Sequence, residues 1–328
     1  MATSTHRPPA AAQAVGIVMA LTVALAVIFV AFALPATQSE PHDVPLGVAG
    51  PPPAVAQIES ALARNAPGGF AVTAYDDRDA LTTAIRHREV YGGLSVGPDG
   101  PTLLLATGAS PMIAQALTQI GNSMAQTTGV PLRTEDLAPL PEADPRGVGL
   151  AAAALPLTLA GLLPAIALVL VFSGRPGLQT ATMLGFATVA ALTVTALLRY
   201  LFGSIEQNFW GVTAGLFAGI AATGLVLLGL GALFGRVGLG IGAAAAILLG
   251  NPLSGINSAP ELLPSGWGAF GQFLPQGANA TLLRSTAYFG DSFPDPRAGT
   301  ALVVLGCWAA VGVLLIVAAG VRQRRSRA

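Results

Sequence analysis

The chain has 328 residues, of which 53% are hydrophobic and only 10% are charged, and its 16 basic and 16 acidic residues leave no formal net charge at pH 7. Every basic residue is an arginine. A Walker-type P-loop needs a lysine to reach the nucleotide phosphates, so this chain is not an ATPase of that class by itself.

Long apolar stretches dominate the chain, and none of them has a charged residue in its interior. A helix needs about 20 apolar residues to cross the roughly 30 Å hydrocarbon core of a bilayer. The pattern therefore predicts a membrane α-helical fold with six transmembrane helices. The six apolar stretches are residues 14–34, 150–172, 180–198, 209–235, 237–250 and 299–320.

The first stretch is predicted to form transmembrane helix 1, residues 14–35, after a tail of residues 1–13. Its apolar core is longer than the h-region of most signal peptides. An uncleaved anchor is therefore favoured. A cleaved signal stays open as the alternative, because Ala33-Leu34-Pro35-Ala36 is an acceptable cleavage sequence.

Residues 36–149 carry most of the charge and are predicted to form a small extracytoplasmic α/β domain with a linker, inserted between transmembrane helices 1 and 2. Asp77 is placed to cap a helix, and Arg86-His87-Arg88 to form that helix's solvated end. Residues 129–147, rich in proline and acid, are assigned to the linker. The order is β-α-β-α-β-β-α, with strands at 44–49, 70–75, 91–96 and 102–107 and helices at 53–64, 77–89 and 110–126.

Residues 150–320 are predicted to form a five-helix membrane domain. The stretch 237–250 would cover only about 21 Å at 1.5 Å per residue, so the outer loop 251–298 is predicted to dip partly into the membrane. An ordinary surface loop with aromatic anchors at the interface is the alternative. Asn251, Ser254 and Asn257, at the mouth of this span, are the candidates for a substrate path.

Glycines recur along the fourth and fifth stretches at a spacing that lets helices approach closely in lipid. Packing against neighbouring helices or a second protomer is favoured over the lining of a conduit. The packing candidates are Gly211, Gly215, Gly219, Gly231, Gly235, Gly238 and Gly242.

The distribution of charge predicts the orientation. With six spans, all acidic residues fall on one side, and the other side carries only arginines, including the basic tail 321–328. Positive charge near span ends marks the cytoplasmic side. The prediction is a multi-pass plasma-membrane protein with both termini in the cytoplasm. The arginines assigned to that side are Arg7, Arg175, Arg236, Arg322, Arg324, Arg325 and Arg327.

No residue pattern indicates catalysis or a cofactor. Cys307 is the single cysteine, and His6, His42 and His87 lie far apart, without the spacing of metal ligands. The aspartates at 76, 77 and 79 are better explained by helix capping than by a cation site. A non-enzymatic protein without metal, cofactor or nucleic-acid partner is expected.

Two segments carry a family resemblance. DDRDALTTAIRHREVYGGLSVGPDGPTLLLATGASPMIAQAL (76–117) and NPLSGINSAPELLPSGWGAFGQFLPQGANATLLRSTAYF (251–289) resemble the outside segment and the last outer loop of type-2 ABC exporter permeases, in their phage-infection-protein-like branch. The resemblance implies a dimeric permease subunit, homodimeric or heterodimeric, that works with a separate nucleotide-binding ATPase. The uncharged spans suit export of an amphipathic or lipid-like compound.

Two features depart from that family. The tail 1–13 is short where such permeases carry an amphipathic helix, and the inside turn 173–179 is shorter than their coupling segment. Little surface is left for an ATPase to contact. The alternative is therefore a non-transporting membrane scaffold or accessory protein of a cell-envelope or secretion assembly.

Overall fold

The computed structural model describes residues 9–98, 100–290 and 293–325. In chain order, a long apolar helix leads into an α/β head, which is followed by a bundle of long helices. The head contains β1 (Val44–Ala49), α2 (Pro52–Asn65), β2 (Phe70–Tyr75), α3 (Arg78–Arg86), β3 (Gly92–Gly97), β4 (Gly100–Leu105), α4 (Pro111–Thr128) and β5 (Arg133–Asp136). The remaining helices are α1 (Ala10–Thr37), α5 (Val148–Ala152), α6 (Ala154–Val171), α7 (Pro176–Ala196), α8 (Phe209–Ala245), α9 (Trp267–Gln272), α10 (Pro275–Tyr288) and α11 (Pro296–Arg325).

Five helical stretches of the described chain are long and apolar enough to cross a membrane, judged by length and composition. They indicate a membrane protein and match the predicted positions of the apolar segments. The stretches are Ala10–Thr37, Val148–Val171, Pro176–Leu201, Phe209–Gly250 and Pro296–Gln323.

The predicted fourth and fifth spans form one of these five stretches, which reverses direction at Gly235. That residue has φ 64° and ψ −143°, a conformation outside the helical region. A Cβ at Gly242 would lie 2.6 Å from the side chain of Leu227, and one at Gly231 would lie 2.9 Å from Leu239. In a continuous helix residues 227 and 242 would be about 22 Å apart, so the two halves of α8 pack side by side.

The second half of α8 is short. After the reversal the helix continues to Gly250, with a π-helical turn over Ala246–Gly250, and spans about 22 Å. The chain then leaves the helix, and residues 251–266 contain only one 3₁₀ turn, Pro260–Leu262. The apolar segment 237–250 is thus a short helix, and the chain that follows it is mostly non-helical.

The head follows the predicted order and adds one strand. Its sheet has the order β2-β1-β3-β4-β5, with β3 and β4 antiparallel and the other pairs parallel. Asp77 caps α3 as predicted, accepting a hydrogen bond from the Ala80 amide at 2.7 Å. Gly47 and Gly93 leave room for Leu81 of α3, and because parallel crossovers are right-handed as a rule, the strand order β2-β1-β3 predicts that α2 lies on the opposite face of the sheet.

The segment 129–147 is more ordered than the predicted linker. Residues 133–136 form β5 beside β4, a strand that the proline- and acid-rich composition conceals. Downstream, Asp144 accepts hydrogen bonds from the amides of Val148 and Gly149, both at 2.8 Å. The carboxylate satisfies free amides at the first turn of α5, so it fixes the direction in which the chain enters the bundle.

The first half of α8 is the centre of the bundle. α6, α7, α10 and α11 all pack against it, and its inward side chains form one core with theirs. A Cβ at Gly312 of α11 would lie 2.5 Å from the backbone of Leu225. The backbones of α11 and α8 therefore come into contact, which small residues permit in lipid.

Candidate ligand cleft at the head–membrane junction

The outer loop and α10 join the head to the bundle without a gap. Ala259, Leu262 and Phe289 are buried in the same apolar core as the sheet and helices of the head. The Ser110 hydroxyl, at the cap of α4, donates to the carbonyl of Ser258 at 3.0 Å. The head is thus seated on residues 251–290 rather than tethered by its ends alone.

A charged network crosses this junction. Arg297, in the first turn of α11, donates to Glu261 at 2.8 Å, to the Tyr91 hydroxyl at 3.1 Å and to the carbonyl of Arg88 at 2.8 Å. Tyr91 in turn donates to the other oxygen of Glu261 at 2.6 Å. Three separate regions, the head, the outer loop and α11, are therefore fixed to one another by charge-assisted hydrogen bonds.

Arg88 is placed differently from the sequence prediction. It was assigned to a solvated helix end with Arg86 and His87, which are exposed, but Arg88 itself is only 4% exposed. The backbone at Arg88 is in the left-handed region, with φ 58°. Its side chain points into the protein, whereas those of Arg86 and His87 are exposed. It donates to the carbonyl of Thr281 at 3.0 Å and to the Ser285 hydroxyl on α10.

The guanidinium of Arg88 also lies 5.4 Å from the ring centre of Phe289, within the range of a cation–π contact. A single turn of sequence with three basic residues gives no signal that one of them points inward. The burial of Arg88 depends on its contacts with α10, which is about 200 positions away in the chain.

Burial changes the proton affinities at this junction. It raises the pKa of Tyr91 to about 12, and the carboxylate of Glu261 adds to the effect, while Arg297 opposes it. Burial lowers the pKa of Arg88 to about 10, and the positive charge of Arg297 contributes. At neutral pH Tyr91 is therefore a neutral hydrogen-bond donor and Arg88 a cation.

A cleft of about 500 Å³ opens beside this network. Its volume falls within the range of small-molecule binding sites. The ion pair Glu261–Arg297, with His42 and Asp43 of the head, contributes polar groups to its wall, and Gln272 and Thr281 add an amide and a hydroxyl. The apolar part of the lining comes from Pro260, Leu263, Pro264, Ala269, Ala278, Pro296 and Ala301.

The cleft adjoins a surface that carries exposed aromatic rings. Gly266, Gly268 and Ala269, at the start of α9, line the cleft. Trp267, Phe270 and Phe273, in and beside the same helix, are exposed. Trp is enriched where a protein meets the membrane interface, and the two Phe rings add exposed apolar area, so the cleft has an apolar surface next to it.

The three predicted substrate-path residues are divided by the structure. Asn251 and Ser254 are buried and adjacent, and the Ser254 hydroxyl donates to the Asn251 carbonyl at 2.8 Å. Both line a small cavity of about 20 Å³ inside the bundle. Asn257 is exposed and does not line that cavity. None of the three lines the larger cleft.

The predicted packing glycines lie at three kinds of place. Gly215 and Gly219 face α10, where added Cβ atoms would meet Leu283 at 3.3 Å and Asn279 at 2.3 Å. Gly231, Gly238 and Gly242 lie where the two halves of α8 face each other, and Gly235 forms the reversal. Gly211 adjoins the side chain of Asn208, which caps α8.

Two of the sequence predictions fall on residues that are not described. Residues 1–8, with Arg7, and residues 326–328, with Arg327, lie outside the described chain. Within the described residues, no group of three or more His, Cys, Asp or Glu side chains is placed to hold a metal ion.

No family model, curated protein or solved structure matches this chain.

Proposed function

We propose that this protein is a permease subunit of the plasma membrane that exports an amphipathic or lipid-like compound together with a separate ATPase, and that the compound enters the cleft at the head–membrane junction. The single observation that carries the proposal is that cleft. It combines an ion pair with an apolar wall and adjoins exposed aromatic rings, which suits a ligand with one polar and one apolar end.

Six spans with both termini in the cytoplasm complete the proposed topology. The proposal counts the two antiparallel halves of α8 as separate spans. It is supported by the positions of the arginines: Arg236 lies next to the reversal at Gly235, and Arg175 lies in the turn between α6 and α7. Both turns are at the end of the bundle away from the head, since α6 and the first half of α8 both start near it and run parallel, with Gly161 facing Thr223 and Val169 facing Gly231.

The energy source is assigned to a partner because the chain lacks a P-loop lysine. The described spans also have no acidic residue in their interiors, which is where proton-coupled transporters carry their titrating groups. The resemblance of residues 76–117 and 251–289 to type-2 ABC exporter permeases supports the same assignment, including a dimer of two permease subunits.

The second candidate is a non-transporting scaffold for an envelope or secretion assembly. The observation that favours it is the small surface at the end opposite the head, where the turn at 172–175 and the reversal at Gly235 leave little for an ATPase to contact. In this case the head would bind the partner and the helices would serve as anchors.

The two candidate functions predict different molecules bound to the protein after its mild extraction from the host membrane into nanodiscs. For the permease, native mass spectrometry is expected to find a nucleotide-binding subunit and a retained amphiphile of several hundred daltons. An envelope-assembly protein in place of the ATPase, with no retained amphiphile, would select the scaffold.

Filling the cleft tests its role directly. Thr300→Trp places an indole in the cleft from the exposed face of α11 and is expected to reduce the retained amphiphile at least tenfold. Ala310→Trp, on an exposed position of the same helix away from the cleft, is the matched control and should retain the compound. Equal retention by both variants would reject the cleft as the binding site.

A further inference from the structure

The small cavity inside the bundle is surrounded by polar groups to an extent that is unusual for a membrane domain. It lies between α6, the first half of α8, the start of the outer loop and α10. Each polar group in such a position is costly unless it is hydrogen-bonded. The polar residues that line the cavity are Thr158, Thr223, Asn251, Ser254, Gln276 and Asn279.

Three glycines make room for these side chains. A Cβ at Gly219 would lie 2.3 Å from the side chain of Asn279, one at Gly250 would lie 2.1 Å from that of Gln276, and one at Gly161 would lie 2.7 Å from that of Thr223. No side chain fits at those three positions without displacing a polar group of the cavity wall. The glycines thus accommodate a polar site as well as close helix packing.

One acceptor in this site has no hydrogen-bond partner among the described residues. The Oδ1 atom of Asn279 is buried without a hydrogen bond, on a residue that is only 7% exposed. The hydroxyls of Thr158 and Ser254 already donate to the carbonyls of Ala154 and Asn251, so their remaining capacity is for accepting. The Thr223 hydroxyl and the side-chain amides of Asn251 and Gln276 also line the cavity, but none of them donates to Asn279 Oδ1.

We infer that this cavity binds one water molecule, which donates to Asn279 Oδ1 and links α6, α8 and α10. A volume of about 20 Å³ exceeds the roughly 10–15 Å³ that one water requires, and a buried water needs two to four polar partners. The same volume is too small for an amphiphile. Asn251 and Ser254 are accordingly assigned to this water site, while the proposed cargo uses the larger cleft.

The chemistry of the site selects water over a metal ion. Among the described residues no carboxylate lines the cavity, so a divalent cation would be uncompensated in a medium of low polarity. Residues from the first turns of α6 and α10 line it, and the positive ends of helix dipoles disfavour cations. Water satisfies the same acceptors without bringing a charge.

A cryo-EM map of the full-length protein in nanodiscs, at a resolution that shows ordered water, tests the inference. The expected result is one peak at about 2.7–3.2 Å from Asn279 Oδ1, present in buffers that contain only choline as the monovalent cation. An empty cavity would overturn the inference. So would a peak that is present only when sodium is supplied.

A pair of variants provides a second measurement. Asn279→Leu removes the buried amide, and Asn257→Leu makes the same change at an exposed residue of the neighbouring loop. Because a bound water would satisfy the buried Oδ1 of Asn279, Asn279→Leu is expected to lower the apparent Tm relative to Asn257→Leu by about 2 °C or more. A rise in Tm would show that the cavity is dry and that Asn279 is a strained, unpaired group, which contradicts the inference.

Discussion

Helix α1 and helix α8 are both strongly apolar, yet they occupy opposite kinds of environment. In the most apolar window of α1 none of the residues is buried, whereas in α8 72% are buried. α1 has a single glycine, Gly16, with open space around it, while the first half of α8 has six glycines that face other helices or capping side chains. Hydropathy therefore identifies helices that suit lipid, and the spacing of small residues identifies the one that other helices surround.

The physical reason lies in the solvent. Lipid tails are as apolar as leucine, so burying an apolar side chain against another helix gains little hydrophobic free energy. What distinguishes a packed helix is dispersion between closely approaching backbones, which needs glycine or alanine at the contact. α1 carries large exposed side chains such as Phe29 and Met19 and suits contact with lipid.

The largest expected effect comes from adding a side chain where α11 touches the backbone of α8. Gly312→Leu in α11 would force a side chain against the backbone of Leu225, 2.5 Å from the added Cβ, and no rotamer relieves that clash. We expect a loss of about 3 kcal/mol or more in the free energy of unfolding, measured by thermal denaturation in detergent. Gly306→Leu lies on the same helix with nothing within 4 Å and should unfold like the wild type.

Truncating one large side chain in each helix tests whether α8 is packed against protein and α1 is not. Leu216→Ala empties a fully buried position of α8 and should cost about 2 kcal/mol, since the lost term in lipid is packing rather than transfer from water. Phe29→Ala on α1, at a position 70% exposed, should change the free energy of unfolding by less than about 0.5 kcal/mol. A comparable loss at both sites would mean that α1 packs against protein in the assembled molecule.

The smallest expected effect concerns the junction between α1 and the head. Just after α1, the Ser39 hydroxyl donates to the carbonyl of Leu262 at 3.0 Å. Ser39→Ala removes that bond and should cost about 1 kcal/mol, detected as faster cleavage near the end of α1 by proteinase K, which needs no particular side chain, with no change in the Tm of the bundle. Thr37→Ala is the control, because its hydroxyl bonds only within its own helix.

Much of the head could be predicted from its sequence because its signals are local. Short apolar runs bounded by turn residues define β1 to β4, Asp77 and Ser110 cap the helices that follow them, and Pro111 starts α4 at a position where its missing amide does no harm. β5 escaped prediction because its sequence Arg-Thr-Glu-Asp is polar throughout. It is a strand only because β4 offers an unpaired edge.

The two candidate sites were less accessible to sequence reasoning. Asn251 and Ser254 were noted because they follow a short span, but their partner Asn279 lies in α10, and only the bundle brings the three together. The sequence gives no sign of the network formed by Glu261, Arg297 and Tyr91. Isolated charged residues near a span end are normally solvated, and a single tyrosine carries no pattern. Arg88 falls inside the helix predicted over 77–89, whereas α3 ends at Arg86, and nothing in the sequence around it indicates that it is buried.

By itself, the sequence determined the apolar helices, the position of the α/β head between the first two of them, the order of its elements and the absence of a P-loop lysine. These depend on composition and short-range periodicity. The tertiary structure alone decided that α8 doubles back at Gly235, that Arg88 turns inward and that a cleft and a polar cavity form around α10. Each of these depends on contacts between segments far apart in the chain, whose free energies exist only after the helices have come together.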